Sequence, residues 1–155
     1  MNEELILETI KEYLIDDETK YIKDAVLMAH KKLNGYGYEG VDIEMLTLHA
    51  LSVREFILNY CNIEKMPIGL KFTYVNMIMA SYLDLYVIKN YVNGEAGEDS
   101  EKAIQGAIAS ITEGDVSITY KDNTSSDKIL NAKALIGSLM DGYRAYLTRY
   151  RRMVW

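Results

Sequence analysis

Three glycines at positions 35, 37 and 40 form the one literal match to a cofactor-binding motif, the Gly-x-Gly-x-x-Gly pattern of dinucleotide-binding proteins. That motif works when a strand precedes it and a helix N-terminus follows, because backbone N–H groups then hold the pyrophosphate. Here the charged, helix-like stretch His30–Leu33 precedes the glycines, and Tyr60 stands about twenty residues on, where an acidic residue should bind the ribose. The glycines are therefore predicted to form a helix-capping loop, and no cofactor is expected.

The other residues that could do chemistry are few and scattered. His30 and His49 are the only histidines and Cys61 is the only cysteine, so the chain cannot assemble a tetrahedral zinc site at the usual spacing. Each histidine is predicted to be a half-buried or surface helix residue, and the cysteine a buried structural thiol. The acidic run at residues 16–18 lacks calcium-loop spacing and is predicted to be a solvated helix terminus. With no nucleophile-and-base pattern, the sequence predicts a protein that is not an enzyme and binds no metal.

The strongest chemical signal is one of recognition, in residues 143–155. This stretch holds four arginines, three tyrosines and the only tryptophan, and the whole chain has thirteen tyrosines against two phenylalanines. Arginine, tyrosine and tryptophan are the residues enriched at interface hot spots. Three interpretations stay open: docking onto a partner protein, which the composition favours, packing back on the chain's own bundle, and contact with nucleic acid.

Charge is distributed unevenly along the chain. The formal net charge is −6, with seven acidic and two basic residues in 1–20, six acidic and one basic in 93–115, and four arginines without an acidic residue in 142–155. A negative chain argues against general nucleic-acid binding, which draws on lysine and arginine contacts to phosphates. An acidic body with a basic tail predicts docking onto an acidic partner or packing against copies of itself, unless these charges only solvate helix faces.

Apolar residues recur at helical spacing in five stretches. The helices that these stretches predict must position the candidate functional residues. The first and last apolar members of the stretches are Ile6 and Leu14, Ile22 and Leu33, Leu46 and Tyr60, Leu70 and Ile88, and Ala132 and Tyr150. Asn34-Gly35 predicts a left-handed C-terminal cap, Asp42 an N-cap, and Pro67 the start of the fourth helix. The pair Asn93-Gly94 is predicted to end the fourth helix. A capping box at 124–127 is predicted to begin the last helix.

Between residues 110 and 120 the period changes from helical to alternating. Val116, Ile118 and Tyr120 alternate with serine and threonine, and Ile111 lies across the turn Glu113-Gly114-Asp115, which predicts a β-hairpin. The fold is therefore predicted to be mainly α, a bundle of about five helices with one hairpin before a long C-terminal helix. A single domain is expected over 1–155. Its parts are an N-terminal helical extension (1–40), core helices (42–109), the hairpin (110–120), and a C-terminal helix with a docking tail (125–155).

The N-terminal residues and the length of the apolar runs indicate the cellular compartment in which the protein is expected. Residues 1–4 are acidic and run into a helical pattern, so no signal peptide is predicted. No apolar run approaches the roughly 18 residues of a membrane span. These features predict a protein that is made and kept in a reducing, aqueous compartment and has no membrane partner.

Three segments together resemble the phage head-tail connector (adaptor) family. The first is the helix end, short link and proline of Ile57–Pro67. The second is the hairpin of residues 110–118, and the third is the closing helix with its Tyr-Arg repeat, Tyr143-Arg144 and Arg149–Arg152. The resemblance covers about residues 42–155. Residues 1–40 depart from the family pattern, because a typical member starts close to the third helix.

The resemblance implies a structural virion protein, made in the bacterial host cytoplasm and located at the head–tail interface. Such a subunit forms a ring of about a dozen copies below the portal, around a channel through which DNA passes without specific binding. The ring joins the portal to the stopper or tail. The resemblance places Arg149, Arg151, Arg152 and Trp155 at the portal contact, and the turn Glu113-Gly114-Asp115 at a ring or tail contact.

The alternative is a small helical DNA-binding regulator encoded by a phage or prophage. In that protein the last helix would read a groove of duplex DNA. Such a helix normally belongs to a basic domain. This chain has an isoelectric point near 5.0 and is therefore not a basic domain. The connector is therefore the favoured hypothesis from the sequence.

Overall fold

The structure, a computed structural model, describes residues 2–13, 18–38, 40–92, 137 and 141–152, with side chains from residue 3 and, in the fourth helix, up to residue 85. Four α-helices come first, and their bounds are α1 Asn2–Tyr13, α2 Thr19–Gly35, α3 Ile43–Cys61 and α4 Lys71–Val92. A 3₁₀ turn, Ile68–Leu70, leads into α4. Residues 141–147 are helical and continue into a second 3₁₀ turn, Thr148–Tyr150.

The ends of α3 and α4 follow the local signals in the sequence. Asp42 is the N-cap of α3, as predicted, and its Oδ1 accepts a hydrogen bond from the Met45 N–H at 3.1 Å. The helix ends at Asn62, whose φ of 52° is left-handed and leaves the helical path. Pro67 begins the turn into α4, also as predicted, since its missing N–H is one that a helix start leaves unbonded.

The end of α2 differs from the prediction at Asn34-Gly35. The helix runs through Gly35, and the left-handed residue is Gly37, with φ of +87°. The Tyr38 N–H bonds to the Leu33 carbonyl and the Gly37 N–H to the Asn34 carbonyl, which is the Schellman pattern with Gly37 just past the helix. The helix-capping role predicted for this glycine loop is confirmed, but the glycine that performs it is the second of the three.

The helices form a bundle with one hydrophobic core. Both α1 and α4 pack against α2 and α3, and they make little contact with each other, so they lie on opposite sides of the α2–α3 pair. The residues predicted to be an N-terminal extension contribute fully buried side chains to this core, among them Ile6, Ile10 and Ile22. Thus α1 and α2 belong to the same bundle and share the same core as α3 and α4.

Helix α4 is the most deeply buried element. From Tyr74 to Leu83 nearly every side chain is buried, on all faces of the helix, as expected for a helix that is apolar all round. The two buried tyrosine hydroxyls of this stretch are satisfied, because the Tyr74 hydroxyl donates to the Ala50 carbonyl of α3 at 2.7 Å and the Tyr82 hydroxyl accepts the Asp42 N–H at 3.1 Å.

The described residues are mainly helical, which confirms the predicted class. No strand occurs among them. The predicted hairpin at 110–120 lies outside the described residues, as do the closing pair at 93–94 and the capping box at 124–127. None of the described helices is long and apolar enough to cross a membrane.

The prediction that the acidic run at 16–18 is solvated is wrong for Glu18, and Asp16 and Asp17 lie outside the described residues. Glu18 is only 8% exposed, and its side chain points into the core without capping α2. Its Oε2 accepts a hydrogen bond from the Arg54 Nε at 2.7 Å, and its Oε1 accepts the backbone N–H of Met66. The carboxylate is buried because a cation and a backbone donor, both distant in sequence, replace the water that it loses.

We expect the substitution Glu18→Gln to lower the free energy of unfolding by about 3–5 kcal/mol, because it removes the buried one of the two carboxylates that pair with the Arg54 guanidinium. Urea unfolding of both proteins measures the difference. The matched control is Glu55→Gln, which removes the exposed carboxylate that also pairs with Arg54 and is expected to cost less than about 1 kcal/mol. Equal effects of the two substitutions would contradict the role of Glu18.

Candidate functional site

The candidate site is the C-terminal segment, residues 141–152, together with the surface on which it lies. Its helical part turns two side chains inward one turn apart, Tyr143 and Leu147, and Leu147 is fully buried in the main core. Burial raises the pKa of the Tyr143 hydroxyl to about 12, against the opposing effect of the Asn76 amide of α4. The segment therefore contributes two side chains to the main core of the bundle.

The end of α3 holds the backbone of this segment. The Cys61 thiol donates to the Leu147 carbonyl at 3.4 Å, and the Cys61 carbonyl accepts the Arg152 N–H at 2.8 Å. The hydroxyls of Tyr60 and Thr148 lie 3.4 Å apart. Cys61 is buried, as predicted, and burial raises the pKa of its thiol despite the nearby Arg151 charge. Of the three interpretations of the tail, packing on its own bundle therefore describes the chain up to Arg152.

The arginine side chains of the segment stay on the outside. Arg149, Arg151 and Arg152 are all exposed, although their backbone is held against α3. The Arg151 guanidinium lies 5.7 Å from the centre of the Tyr60 ring, a cation–π distance. The contact orients the charge without covering it. Trp155, the fourth residue of the predicted portal contact, lies outside the described residues.

A cleft of about 600 Å³ opens beside the segment. Its lining consists of the connection between α3 and α4, residues 63–68, together with Tyr150 and Arg152. The floor is fixed from below, since the Tyr21 hydroxyl donates to the Pro67 carbonyl at 3.1 Å. Burial raises the pKa of Tyr21 to about 12. The lining of the cleft thus mixes apolar side chains with three charged ones, Glu64, Lys65 and Arg152.

Tyr150 closes against the backbone at Gly69. A Cβ at position 69 would lie 2.5 Å from the Tyr150 hydroxyl oxygen, so only glycine leaves room for the ring in this position. Two large apolar side chains near this point face solvent, Ile68 at 85% exposure and Phe72 at 68%. They stand four residues apart at the start of α4, on one side of that helix.

A second polar cluster joins α3 to α4 and was not predicted from the sequence. His49 Nδ1 lies 2.7 Å from the Ser81 hydroxyl, and the His49 ring meets the edge of the Tyr82 ring. Burial lowers the pKa of His49, and the charge of Asp84 opposes that shift. Both histidines are half-buried helix residues, as predicted. The 32 residues between His49 and Ser81 leave no local pattern from which the pair could be found.

Other predicted sites gain no geometry from the structure. The turn Glu113-Gly114-Asp115 lies outside the described residues. Within the described part of the chain no three histidine, cysteine or acidic side chains gather as metal ligands would. The loop of Gly35–Gly40 connects two helices, which does not provide the strand that the dinucleotide motif requires.

Comparison with protein-family models, with curated proteins and with solved structures gives no match for this chain.

We expect His49 to lower the stability of the folded protein as the pH falls below neutral. Its pKa is lowered in the folded protein, so the unfolded chain takes up a proton first as the pH drops below about 6.5. Stability that is fully present above this pH is therefore lost toward the lowered pKa. Melting temperatures of the wild type and of His49→Gln between pH 7.5 and 5 should diverge, with the variant losing less. The control His30→Gln should follow the wild type, and identical profiles for all three proteins would contradict the assignment.

We expect Gly69→Ala to displace the Tyr150 ring and loosen the C-terminal segment at a cost of less than about 1 kcal/mol, because the Tyr150 hydroxyl is the free end of an exposed side chain. Amide hydrogen exchange of residues 147–152 measures the loosening. Gly35→Ala is the matched control, because a Cβ there meets no atom within 4 Å. In a Tyr150→Ala background the effect of Gly69→Ala should disappear. Unchanged exchange in the single variant would show that Gly69 does not hold the segment in place.

Proposed function

We propose that the chain is a subunit of the head-to-tail connector ring of a tailed phage or prophage, a structural virion protein and not an enzyme. The ring surrounds the DNA channel and joins the portal to the stopper or tail. The pattern and order of segments in the sequence support this proposal, and so does the helical bundle of the described residues. The observation that carries it is the C-terminal segment, which is bonded to α3 while its arginines stay exposed.

The anchored segment suits docking onto another protein. A flexible tail loses conformational entropy when it binds at an interface, and this loss weakens the affinity. A segment that is already bonded to its own bundle loses less entropy on binding a partner. In the proposed complex Arg149, Arg151 and Arg152 contact acidic groups of the portal, with Trp155 completing the contact. Arginine and tryptophan are residues that dominate binding energy when a partner covers them.

The remaining contacts of the ring belong to the same proposal. The hairpin at 110–120 carries the turn Glu113-Gly114-Asp115 to a neighbouring subunit or to the tail. The negative net charge of the chain discourages DNA from adhering as it passes through the channel. The subunit is made in the cytoplasm of the bacterial host and ends in the virion at the head–tail interface.

Electron microscopy of this protein mixed with the portal encoded in the same genome tests the proposal. We expect rings or added density at the narrow end of the portal. The double substitution Arg151→Glu and Arg152→Glu should weaken portal binding roughly 100-fold or more, since each removes an interface arginine and adds a repulsive charge. Point variants are preferable to truncation after Tyr143, because truncation would also remove the buried Leu147 from the core.

The matched control is Lys20→Glu with Lys31→Glu, which makes the same change in charge at exposed positions of α2 and should bind as the wild type does. Unbound portal beside monomeric protein at every salt and protein concentration would overturn the connector proposal. Tight, salt-sensitive binding of duplex DNA by the same preparation would replace it with the DNA-binding regulator.

A further inference from the structure

Two exposed surfaces of the bundle have opposite character. The first, the acidic face, runs along α1 and consists of Glu4, Glu8 and Glu12 at intervals of four residues, with Leu5 beside them. All four side chains are exposed, and among the described residues none of the three glutamates has an ion-pair partner. Like charges at this spacing repel one another along a helix, so a cation from outside the helix would relieve the repulsion.

The second surface, the apolar pair, is formed by Ile68 and Phe72 at the start of α4. These are the two most exposed large apolar side chains of the described residues. The cleft beside them is lined by Lys65 and Arg152 against the single acid Glu64, and the exposed Arg151 directly precedes Arg152 in the chain. An exposed apolar surface bordered by basic groups is a surface for a partner that is apolar and acidic.

The fold puts the two surfaces on opposite sides of the molecule. Helices α1 and α4 each pack on the α2–α3 pair and scarcely touch each other. The residues Ile6 and Ile10 of α1 turn toward that pair, so the glutamates on the other side of α1 point away from it. One copy therefore cannot bring its acidic face onto its own apolar pair, but two copies can.

We propose that the acidic face of one subunit docks on the apolar pair of the next, in a head-to-tail contact. Leu5 packs against Phe72, and the glutamates of α1 meet Lys65 in the lining of the cleft, which leaves Arg152 to the portal. Because the two surfaces differ, the contact is heterologous, so each new subunit leaves one surface of each kind open until a ring closes. This inference rests on the proposed ring and assigns the faces by which its subunits meet.

Mixing two variants of the full chain tests the contact. Phe72→Asp disables the apolar pair, and Glu8→Lys with Glu12→Lys disables the acidic face, so each variant alone should be monomeric at concentrations where the wild type forms larger species. Each variant keeps one intact surface, and an equal mixture should therefore form heterodimers and nothing larger. Analytical ultracentrifugation with native mass spectrometry measures these species. We expect either change to weaken self-association roughly 100-fold.

Cysteine cross-linking detects the contact even where it is too weak for ultracentrifugation, because a disulfide bond traps it. The variants Leu5→Cys and Phe72→Cys, mixed and mildly oxidised, should form a disulfide dimer, while either alone should not. The native Cys61 is buried and can stay in both variants. Tyr13→Asp changes an equally exposed aromatic residue at the end of α1 and serves as the control that leaves association unchanged.

Each other outcome decides against the head-to-tail contact. Dimers of the acidic-face variant alone would indicate that the apolar pairs meet each other. A Phe72→Asp protein that associates normally but no longer binds the portal would assign the apolar pair to the portal. A wild type that stays monomeric and gives no cross-link would end this proposal, and the portal-binding experiment would still decide the proposed function by itself.

Discussion

The buried carboxylate of Glu18 is the interaction on which the rest of the structure depends. It stands where the α1–α2 connection enters the core, and it accepts hydrogen bonds from Arg54 of α3 and from the backbone at Met66. It thereby joins the start of α2, the helix α3 and the connection between α3 and α4. Losing either partner would leave the other buried without its buried counter-charge, so the ion pair holds the three elements as one unit.

That unit fixes the platform on which the chain ends. Met66 and Pro67 are held from below by Glu18 and by the Tyr21 hydroxyl, and the turn that follows presents the bare backbone of Gly69 to Tyr150. These contacts lead from the buried ion pair to the exposed arginines. Hydrogen bonds fix residues 66 and 67, and steric fit at Gly69 fixes Tyr150, so the core determines where the neighbouring arginines stand.

The sequence predicts those parts of the fold that are decided within one or two helical turns. The cap at Asp42 needs only the N–H three residues on, and the buried stripes of α2 and α3 follow from periodicity alone. The position of Gly37 was missed because two glycines within three residues satisfy the same local rule. The pairing of Glu18 was missed because neighbouring acids suggest solvation, while its cation lies 36 residues away.

The same distinction holds for the candidate site. The type of each tail residue could be predicted to favour recognition, since arginine and tyrosine carry that chemistry in any setting. The return of the backbone to Cys61 could not, because neither Arg152 nor Cys61 differs in local pattern from a residue without this contact. A tail that is half buried can therefore have the composition of an interface throughout its length. Its inward residues, Tyr143 and Leu147, complete the core, and its outward arginines stay exposed to solvent. The division follows from helical spacing, which allows one short segment to satisfy both demands without one weakening the other.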